Sequence, residues 1–287
     1  MAASVVDRDV PCRKCAYNLR SLPVDGRCPE CGSPVGLSLQ GDLLRFSDPK
    51  WLQTLRRGVN FILYAVMIVI IWIITYVIVA FSAPEFAAKL DAIGPAIGIL
   101  ISVLFIGGAW LLTMPDPSGI GEDRYGTARK VIRVTSMASI FDSFENLAKP
   151  YIHNQTALMV LILLAALAML MGVVGFFAQT SYLCKLALRI PDEKMSKRAK
   201  FLMYAIGIPY VVMALRLLIM ALAAQGFGWR MTRGGIATFG CTMGIVGLMF
   251  FIFGLGYLRM LTNFAKRLQV LIGLAQHTWG TGPAGSY

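Results

Sequence analysis

Long apolar segments separated by short polar ones dominate this chain. Four of them contain no charged residue. Each is longer than about 20 residues, the length that a helix needs to cross a hydrocarbon core about 30 Å thick. These run from Phe61 to Phe81, Ala92 to Met114, Ala157 to Ala178 and Ile236 to Leu258. A fifth segment, Phe201 to Ala224, is interrupted only by Arg216. The pattern predicts an all-α polytopic membrane protein.

Residues 131–151 are harder to assign, because Arg133, Asp142 and Glu145 lie among moderately apolar residues. Hydropathy alone favours an amphipathic surface helix here and five spans in total. Charge favours six: with this segment crossing, 22 Lys and Arg residues lie on the side of the N-terminus and 4 on the other, against 16 and 10 with five spans. Since basic residues are enriched on the cytoplasmic side, we expect about six transmembrane helices, with both termini in the cytosol.

Six spans would bring charged residues into the membrane interior. Glu145 and Arg216 then lie 14 and 15 residues from the inner ends of their segments, or about 21–23 Å at 1.5 Å per residue. Because a charge in a span seeks a partner, we predict an intramembrane Glu145–Arg216 pair, with Asp142 one turn away. One interpretation is an ion or proton path. The sequence favours the other, a pair that holds a marginal helix in the bundle, because one pair is too few for a relay.

The composition agrees with a membrane protein, since 57% of the residues are hydrophobic and only 15% are charged. The net charge is +12, but the basic residues lie between apolar segments rather than on a soluble face. They therefore predict contact with anionic lipids at the cytosolic face, and no nucleic-acid partner. The sequence contains no H-E-x-x-H, G-x-S-x-G or phosphate-binding glycine loop, so a membrane-embedded enzyme is the function least expected.

Four cysteines near the N-terminus form a C-x2-C-x12-C-x2-C pattern, which is typical of a metal-binding ribbon. They are Cys12, Cys15, Cys28 and Cys31. Four thiolates suit structural zinc, with iron the less favoured alternative. A fully protein-filled site leaves no position for water or substrate, which argues against catalysis. A redox dithiol is also disfavoured, because it would need a βαβ context. Alternating Val35, Leu37 and Leu39 then predict a short strand.

These patterns divide the chain into four parts. Residues 1–46 are a cytosolic zinc ribbon, 47–60 a juxtamembrane amphipathic helix, 61–258 the transmembrane helical domain, and 259–287 a cytosolic amphipathic helix with a disordered tail. We expect Ser47 to cap the juxtamembrane helix and Pro49 to occupy its first turn. Trp51 is expected at the depth of the lipid headgroups.

The stretch CRKCAYNLRSLPVDGRCPECG resembles the cysteine ribbon that begins many multi-pass planctomycete membrane proteins. Tyr17, Leu19 and Arg20 match that ribbon, as does the CPECG turn. Ala16 and Ser21 stand where glycine is usual, so we expect a looser first turn. The resemblance implies a bacterial cytoplasmic membrane protein. It brings no biochemical role.

The function expected from these features is that of a non-enzymatic integral membrane protein whose ribbon serves cytosolic interaction or assembly. Tyr17 and Leu19 are expected to close the ribbon, while Arg20 and Arg27 face a protein partner or lipid. A homo-oligomer is compatible with the sequence. The alternative is a transporter or channel component that uses the Asp142, Glu145 and Arg216 constellation.

Overall fold

The computed structural model describes residues 4–40, 43–117, 122–148, 151–190, 193–224 and 233–279, except for the side chains at 84, 87–88, 122–124, 142–143, 145–146, 155, 158–159, 217, 220–224 and 233–243. Within these ranges every regular element is a helix. They are α1 (Val35–Leu39), a 3-10 helix (Leu44–Phe46), α2 (Pro49–Ser82), α3 (Pro84–Leu112), α4 (Glu122–Ala148), α5 (Gln155–Leu188), α6 (Glu193–Ala224) and α7 (Arg233–Thr278). The predicted all-α architecture is confirmed.

The six long helices form a closed ring. Each packs against its neighbours in sequence, and α7 returns to pack against α2. Side-chain contacts show that neighbours run antiparallel; for example, the Ser102 hydroxyl donates to the Ser139 carbonyl 3.0 Å away, and Arg133 binds Thr113 further along. Alternation around the ring places the start of α2 and the end of α7 together. We call this end of the ring, beside the N-terminal cysteine module, the module end.

Five helices in the described ranges are long and apolar enough to cross a membrane, and α4 is not among them. It nevertheless lies between α3 and α5, antiparallel to both. The charge of Arg133, near its module end, is well accommodated. Its guanidinium donates to the Thr113 hydroxyl at 3.0 Å and to the Thr113 carbonyl at 2.9 Å, and it lies 5.2 Å from the centroid of the Trp110 ring. The end of α3 suits a cation because its last carbonyls carry partial negative charge.

The two predicted surface helices are parts of longer helices. The segment after residue 47 continues unbroken into α2, and the segment after residue 258 is the last part of α7. Asp48, rather than Ser47, caps α2 by accepting from the Lys50 amide at 2.7 Å, with Pro49 in the first turn as expected. Trp51 is only 4% exposed, and its indole N–H donates to the Met114 carbonyl at 3.0 Å. The side chain therefore packs inside the protein, and its depth relative to the lipid headgroups stays a prediction.

Helices α2 and α3 approach most closely at the module end. A Cβ added to Gly58 would lie 2.6 Å from the backbone nitrogen of Leu112, and one added to Gly108 would lie 2.9 Å from the Gly58 carbonyl. Glycine at both positions is what allows this backbone contact.

Packing differs between the two ends of the ring. The buried cluster of apolar residues occupies the module end, from Leu52, Leu55 and Ile62 on α2 across to Leu261 and Leu268 on α7. The other end encloses a cavity, and its outer surface exposes large apolar side chains. Phe81, near the end of α2, is 89% exposed. Exposed apolar surface on helices of this length is expected to face lipid.

Candidate metal centre

The four cysteines lie in two turns of matching geometry. In the first turn, the Cys12 amide donates to the Tyr17 carbonyl at 2.7 Å and the Ala16 amide donates to the Cys12 carbonyl at 2.9 Å. In the second, the Cys28 amide donates to the Ser33 carbonyl at 2.8 Å and the Gly32 amide donates to the Cys28 carbonyl at 2.9 Å. Each turn thus folds back on itself and presents two sulfurs on one side.

Both turns place a left-handed residue directly after the second cysteine. Gly32 has a φ of 71° and Ala16 has a φ of 60°. The expectation of a looser first turn is therefore wrong, because Ala16 adopts the conformation that glycine would adopt there. Ser21, the second position where glycine is usual, has a φ of 67°. Such residues cost roughly 1–2 kcal/mol each in backbone strain, which the rest of the module must offset.

The four thiol sulfurs lie within 4.8 Å of one another. Between the two turns, Cys12 Sγ lies 3.6 Å from Cys31 Sγ, and Cys15 Sγ lies 3.7 Å from Cys28 Sγ. These distances are well above the about 2.05 Å of a disulfide. They match the sulfur–sulfur edge of about 3.8 Å that follows from tetrahedral bonds of about 2.3 Å to zinc. The cluster can therefore hold a metal ion with little rearrangement.

Hydrogen bonds prepare one sulfur for metal binding. Burial alone would raise the pKa of the Cys31 thiol, but hydrogen bonds from the hydroxyl and backbone N–H of Ser33 lower it to about 6. The Ser33 Oγ lies 3.1 Å from the sulfur. Burial, together with hydrogen bonds that the Cys15 thiol donates to neighbouring sulfurs, raises the pKa of Cys15 to about 12. Four thiols this close resist joint ionisation until a cation is present.

A small apolar cluster closes the module behind the cysteines. Val6, Leu19 and Val35 are at most 3% exposed and pack with Cys12 and Cys28. So small a cluster cannot hold a domain together by itself. A metal bound by the four thiols would therefore supply much of the module's folding free energy.

The predicted strand after the second turn is wrong, since Val35–Leu39 forms the short helix α1. Helical spacing brings Val35 and Leu39, four residues apart, onto one face toward the module core. The Ser38 hydroxyl on this helix accepts from the Arg13 amide at 3.2 Å, which ties α1 to the first turn. An apolar alternation of three residues does not distinguish a strand from one helical turn.

The module surface differs in part from the expectation. Leu19 is fully buried, as expected of a residue that closes the ribbon, whereas Tyr17 is 43% exposed and does not close it. Arg20 is exposed and lies 3.6 Å from the Asp9 carboxylate. Arg27 donates to the Gly32 carbonyl at 3.2 Å and so braces the second turn. Tyr17 and Arg20 are therefore the more accessible features.

A buried polar cluster joins the module to the bundle, and sequence reasoning did not find it. Arg189, between α5 and α6, lies 3.1 Å from the Asp116 carboxylate, and the two side chains are 4% and 1% exposed. The Arg189 guanidinium lies 5.4 Å from the Trp51 ring centroid, and its backbone carbonyl accepts from the Leu44 amide at 3.2 Å. The only sequence signals were an aspartate between two prolines, Asp116, and an arginine two residues before a proline, Arg189.

The 3-10 helix completes this connection. The Phe46 carbonyl accepts from the Trp279 indole at the end of α7, at 3.3 Å. The guanidinium of Arg13, in the first cysteine turn, lies 5.8 Å from the Phe46 ring centroid. Residues 44–46 thus contact the module on one side and the ring on the other.

The predicted intramembrane pair is not tested by these contacts. The side chains of Asp142 and Glu145 lie outside the described part of the chain, and Arg216 is half-buried on α6. The pairing stays a prediction.

Comparison with known proteins adds no identity. No protein-family model matches the chain, and neither a curated protein nor a solved structure is significantly similar to it. The conclusions about function therefore depend on the residues and geometry described above.

Proposed function

We propose that this chain is a multi-pass protein of a bacterial cytoplasmic membrane, related to the planctomycete membrane proteins that its ribbon resembles. Its N-terminal module folds around structural zinc on the cytosolic side and serves as a surface for protein interaction or assembly. The observation that supports this most is the tetrad of thiols, in which all four ligand positions are filled by protein and the sulfurs are already close to tetrahedral spacing.

Zinc is favoured because all four ligands are sulfurs and together they fill a tetrahedral coordination shell. Metal analysis of the purified full-length protein tests this. We expect one zinc per chain, and its loss in a Cys28→Ser variant. A Cys184→Ser variant is the matched control, because Cys184 is far from the module in sequence and is not part of the cluster. One iron per chain, with the colour of an iron–thiolate site, would overturn the zinc assignment.

The cytosolic location of the module end is supported by charge. Basic residues flank the ring there, among them Lys50 and Arg57 at the start of α2 and Lys266 and Arg267 near the end of α7. Cytoplasmic loops are enriched in such residues, which also attract anionic lipids. The position of α4 between α3 and α5 supports a sixth crossing, which would place both termini in the cytosol.

The interaction role is supported by Tyr17. It is a large amphipathic side chain that is 43% exposed and lies outside the apolar cluster of the module. Tyrosine and arginine are enriched at the centres of protein interfaces, and Arg20 lies three residues away. A partner that contacts this surface would depend on the metal, because Tyr17 follows directly after the left-handed residue of the first turn.

Site-specific photo-crosslinking in the host cell tests this role. A photoreactive phenylalanine at position 17 of the full-length chain should give a discrete protein adduct that disappears when Cys28→Ser is added. Val5, 53% exposed on the same module, is the control position and should not give that adduct. Adducts with lipid alone at position 17, or the same protein adduct from both positions, would contradict the proposal.

The alternative function is transport through the ring. It is supported by Arg216 within α6 and by the proline at position 209 in the same helix. Double charge reversal, with Glu145→Arg and Arg216→Glu together, should restore the folding that either single reversal disrupts if the predicted pair exists. Ion flux by reconstituted wild-type protein, lost in both single variants at unchanged stability, would favour transport over a structural role.

A further inference from the structure

A large cavity lies inside the ring, at the end away from the module. Its volume is about 1360 Å³, above the roughly 300–1,000 Å³ of typical small-molecule pockets. Aliphatic and aromatic side chains of α2, α5, α6 and α7 form most of its lining, and none of the lining residues that the structure describes is charged. At its outer end it is bounded by Ile74 and Ile78, which are 41% and 59% exposed. These exposed residues mark a route in from the surrounding lipid.

The inner end of the cavity contains an unsatisfied polar group. Gln179 on α5 lines the cavity and is only 2% exposed, and its Nε2 has no hydrogen-bond partner in the part of the chain that the structure describes. A buried amide without a partner is costly, and such groups are rare in native structures. Because the side chain lines the cavity, a rotation of its amide would bring Nε2 to an acceptor atom of a ligand bound there.

The shape of the cavity indicates a chain-like ligand. On α5 the lining extends from Ile162 to Gln179, or about 25 Å at 1.5 Å per residue. This is most of the thickness of a hydrocarbon core, about 30 Å. A ligand that fills it therefore needs a long hydrocarbon chain with one polar end.

Aromatic residues surround the polar end. Phe176 contacts Tyr210 and Tyr257 with ring centroids 6.4 and 6.1 Å apart, and Tyr210 contacts Phe250 at 6.0 Å. All four rings line the cavity. Ring walls of this kind suit a flat, unsaturated head.

We propose that this cavity binds one molecule of a neutral lipid, whose hydrocarbon chain lies along α5 and whose carbonyl oxygen accepts from Gln179 Nε2. A charged head is disfavoured because no lining residue in the described ranges carries an opposite charge, and desolvation of an unpaired ion is expensive. Prenylquinones and neutral carbonyl lipids with a simple alkyl chain share this chemistry, and the experiment below separates them.

Native mass spectrometry of the full-length protein in detergent tests the proposal. The probes are a prenylquinone, a long-chain alkyl methyl ketone and hexadecanoate, each titrated separately. We expect saturable binding of one neutral carbonyl lipid per chain, and weaker binding of the carboxylate. Stronger binding of the quinone than of the ketone would assign the flat head, and the reverse would assign the alkyl lipid. Preference for the carboxylate, or uptake without saturation, would overturn the proposal.

Two variants test where the ligand lies in the cavity. Gly247 lines the cavity, and nothing lies within 4 Å of a Cβ added there, so Gly247→Phe should fill the space and reduce binding at least tenfold. Gly273→Phe is the matched control, since Gly273 is equally open but lies outside the cavity lining. Gln179→Leu should weaken ketone binding roughly three- to tenfold, the effect of one neutral hydrogen bond, and leave binding of the corresponding alkane unchanged. Equal binding by wild type and Gly247→Phe would show that only bulk lipid is retained.

Discussion

Replacing Asp116 with asparagine should destabilise the ring strongly, although the change removes only one charge at its edge. In the wild type, this carboxylate lies 3.1 Å from the Arg189 guanidinium, and both side chains are almost fully buried. Asp116→Asn keeps the shape of the side chain and leaves the arginine charge in place. The variant therefore measures the cost of removing the carboxylate charge that lies 3.1 Å from this buried cation.

The magnitude follows from this geometry. Two unit charges about 3 Å apart attract by about 5 kcal/mol at an effective dielectric constant of about 20. Part of that attraction offsets the desolvation of both groups, and measured losses on removing one partner of a buried pair are about 3–5 kcal/mol. We expect the free energy of unfolding to fall by that amount in Asp116→Asn. In Arg189→Gln, the free energy of unfolding should fall by a similar amount. That variant also loses the contact with the Trp51 ring, which contributes about 0.5–2 kcal/mol.

Equilibrium unfolding of the full-length protein in mixed micelles measures both variants and their combination. Because the double variant removes both charges of this pair, it should be more stable than the sum of the single losses predicts, by about 1–3 kcal/mol. The control pair is Glu193 and Lys197, whose charges lie 3.5 Å apart but whose side chains are 83% and 81% exposed. Glu193→Gln should change stability by less than about 0.5 kcal/mol. If Asp116→Asn changed stability as little as Glu193→Gln, or if the single losses were additive, the ion pair would not be structural.

Three further predictions concern the module, the helix contact and the topology. The Cys28→Ser variant should not retain the metal, and its first 40 residues should become sensitive to protease while the ring stays helical. In the wild type, lowering the pH should release the metal because protons compete for the thiolates. Gly58→Ala should lower the free energy of unfolding by about 1–3 kcal/mol, because its Cβ would lie 2.6 Å from the Leu112 backbone. Gly126→Ala, where nothing lies within 4 Å of an added Cβ, should leave the thermal unfolding temperature unchanged or raise it. A reporter fused after Lys200 should give a cytosolic signal, and a periplasmic one would refute six crossings.

The sequence predicted the parts of this fold that depend on local patterns. Apolar segments of span length predicted the helices, and cysteine spacing predicted the thiol cluster, because both signals are carried by residues close together in the chain. The strand predicted at Val35 failed because three apolar residues fit either period. The prediction of a looser turn at Ala16 failed for a different reason. Its left-handed φ is imposed by the hydrogen bonds of the turn, against the preference of the residue itself.

Contacts between distant segments were beyond sequence reasoning. Asp116 and Arg189 are 73 residues apart and meet only because the ring returns both loops to one end. A tryptophan next to basic residues, as at Trp51, is typical of a headgroup anchor. Its burial inside the protein follows from the packing of α3 beside it, which the sequence does not reveal. The polar group at Gln179 was likewise hidden within a long apolar segment, where a single glutamine gives no pattern.

The contrast between the two ends of the ring connects the proposals. At the module end, the apolar cluster, the Gly58 contact and the buried ion pair make a rigid platform on which residues 44–46 seat the module. The module has its own small apolar cluster, separate from that of the ring. At the other end, the described residues line the half-open cavity. Gln179 and Tyr257 lie where the two regions meet, so a ligand that reaches Gln179 would contact the edge of the platform. Binding there would stabilise the packed end by mass action. A ligand in the membrane would thereby stabilise the part of the ring that contacts the module.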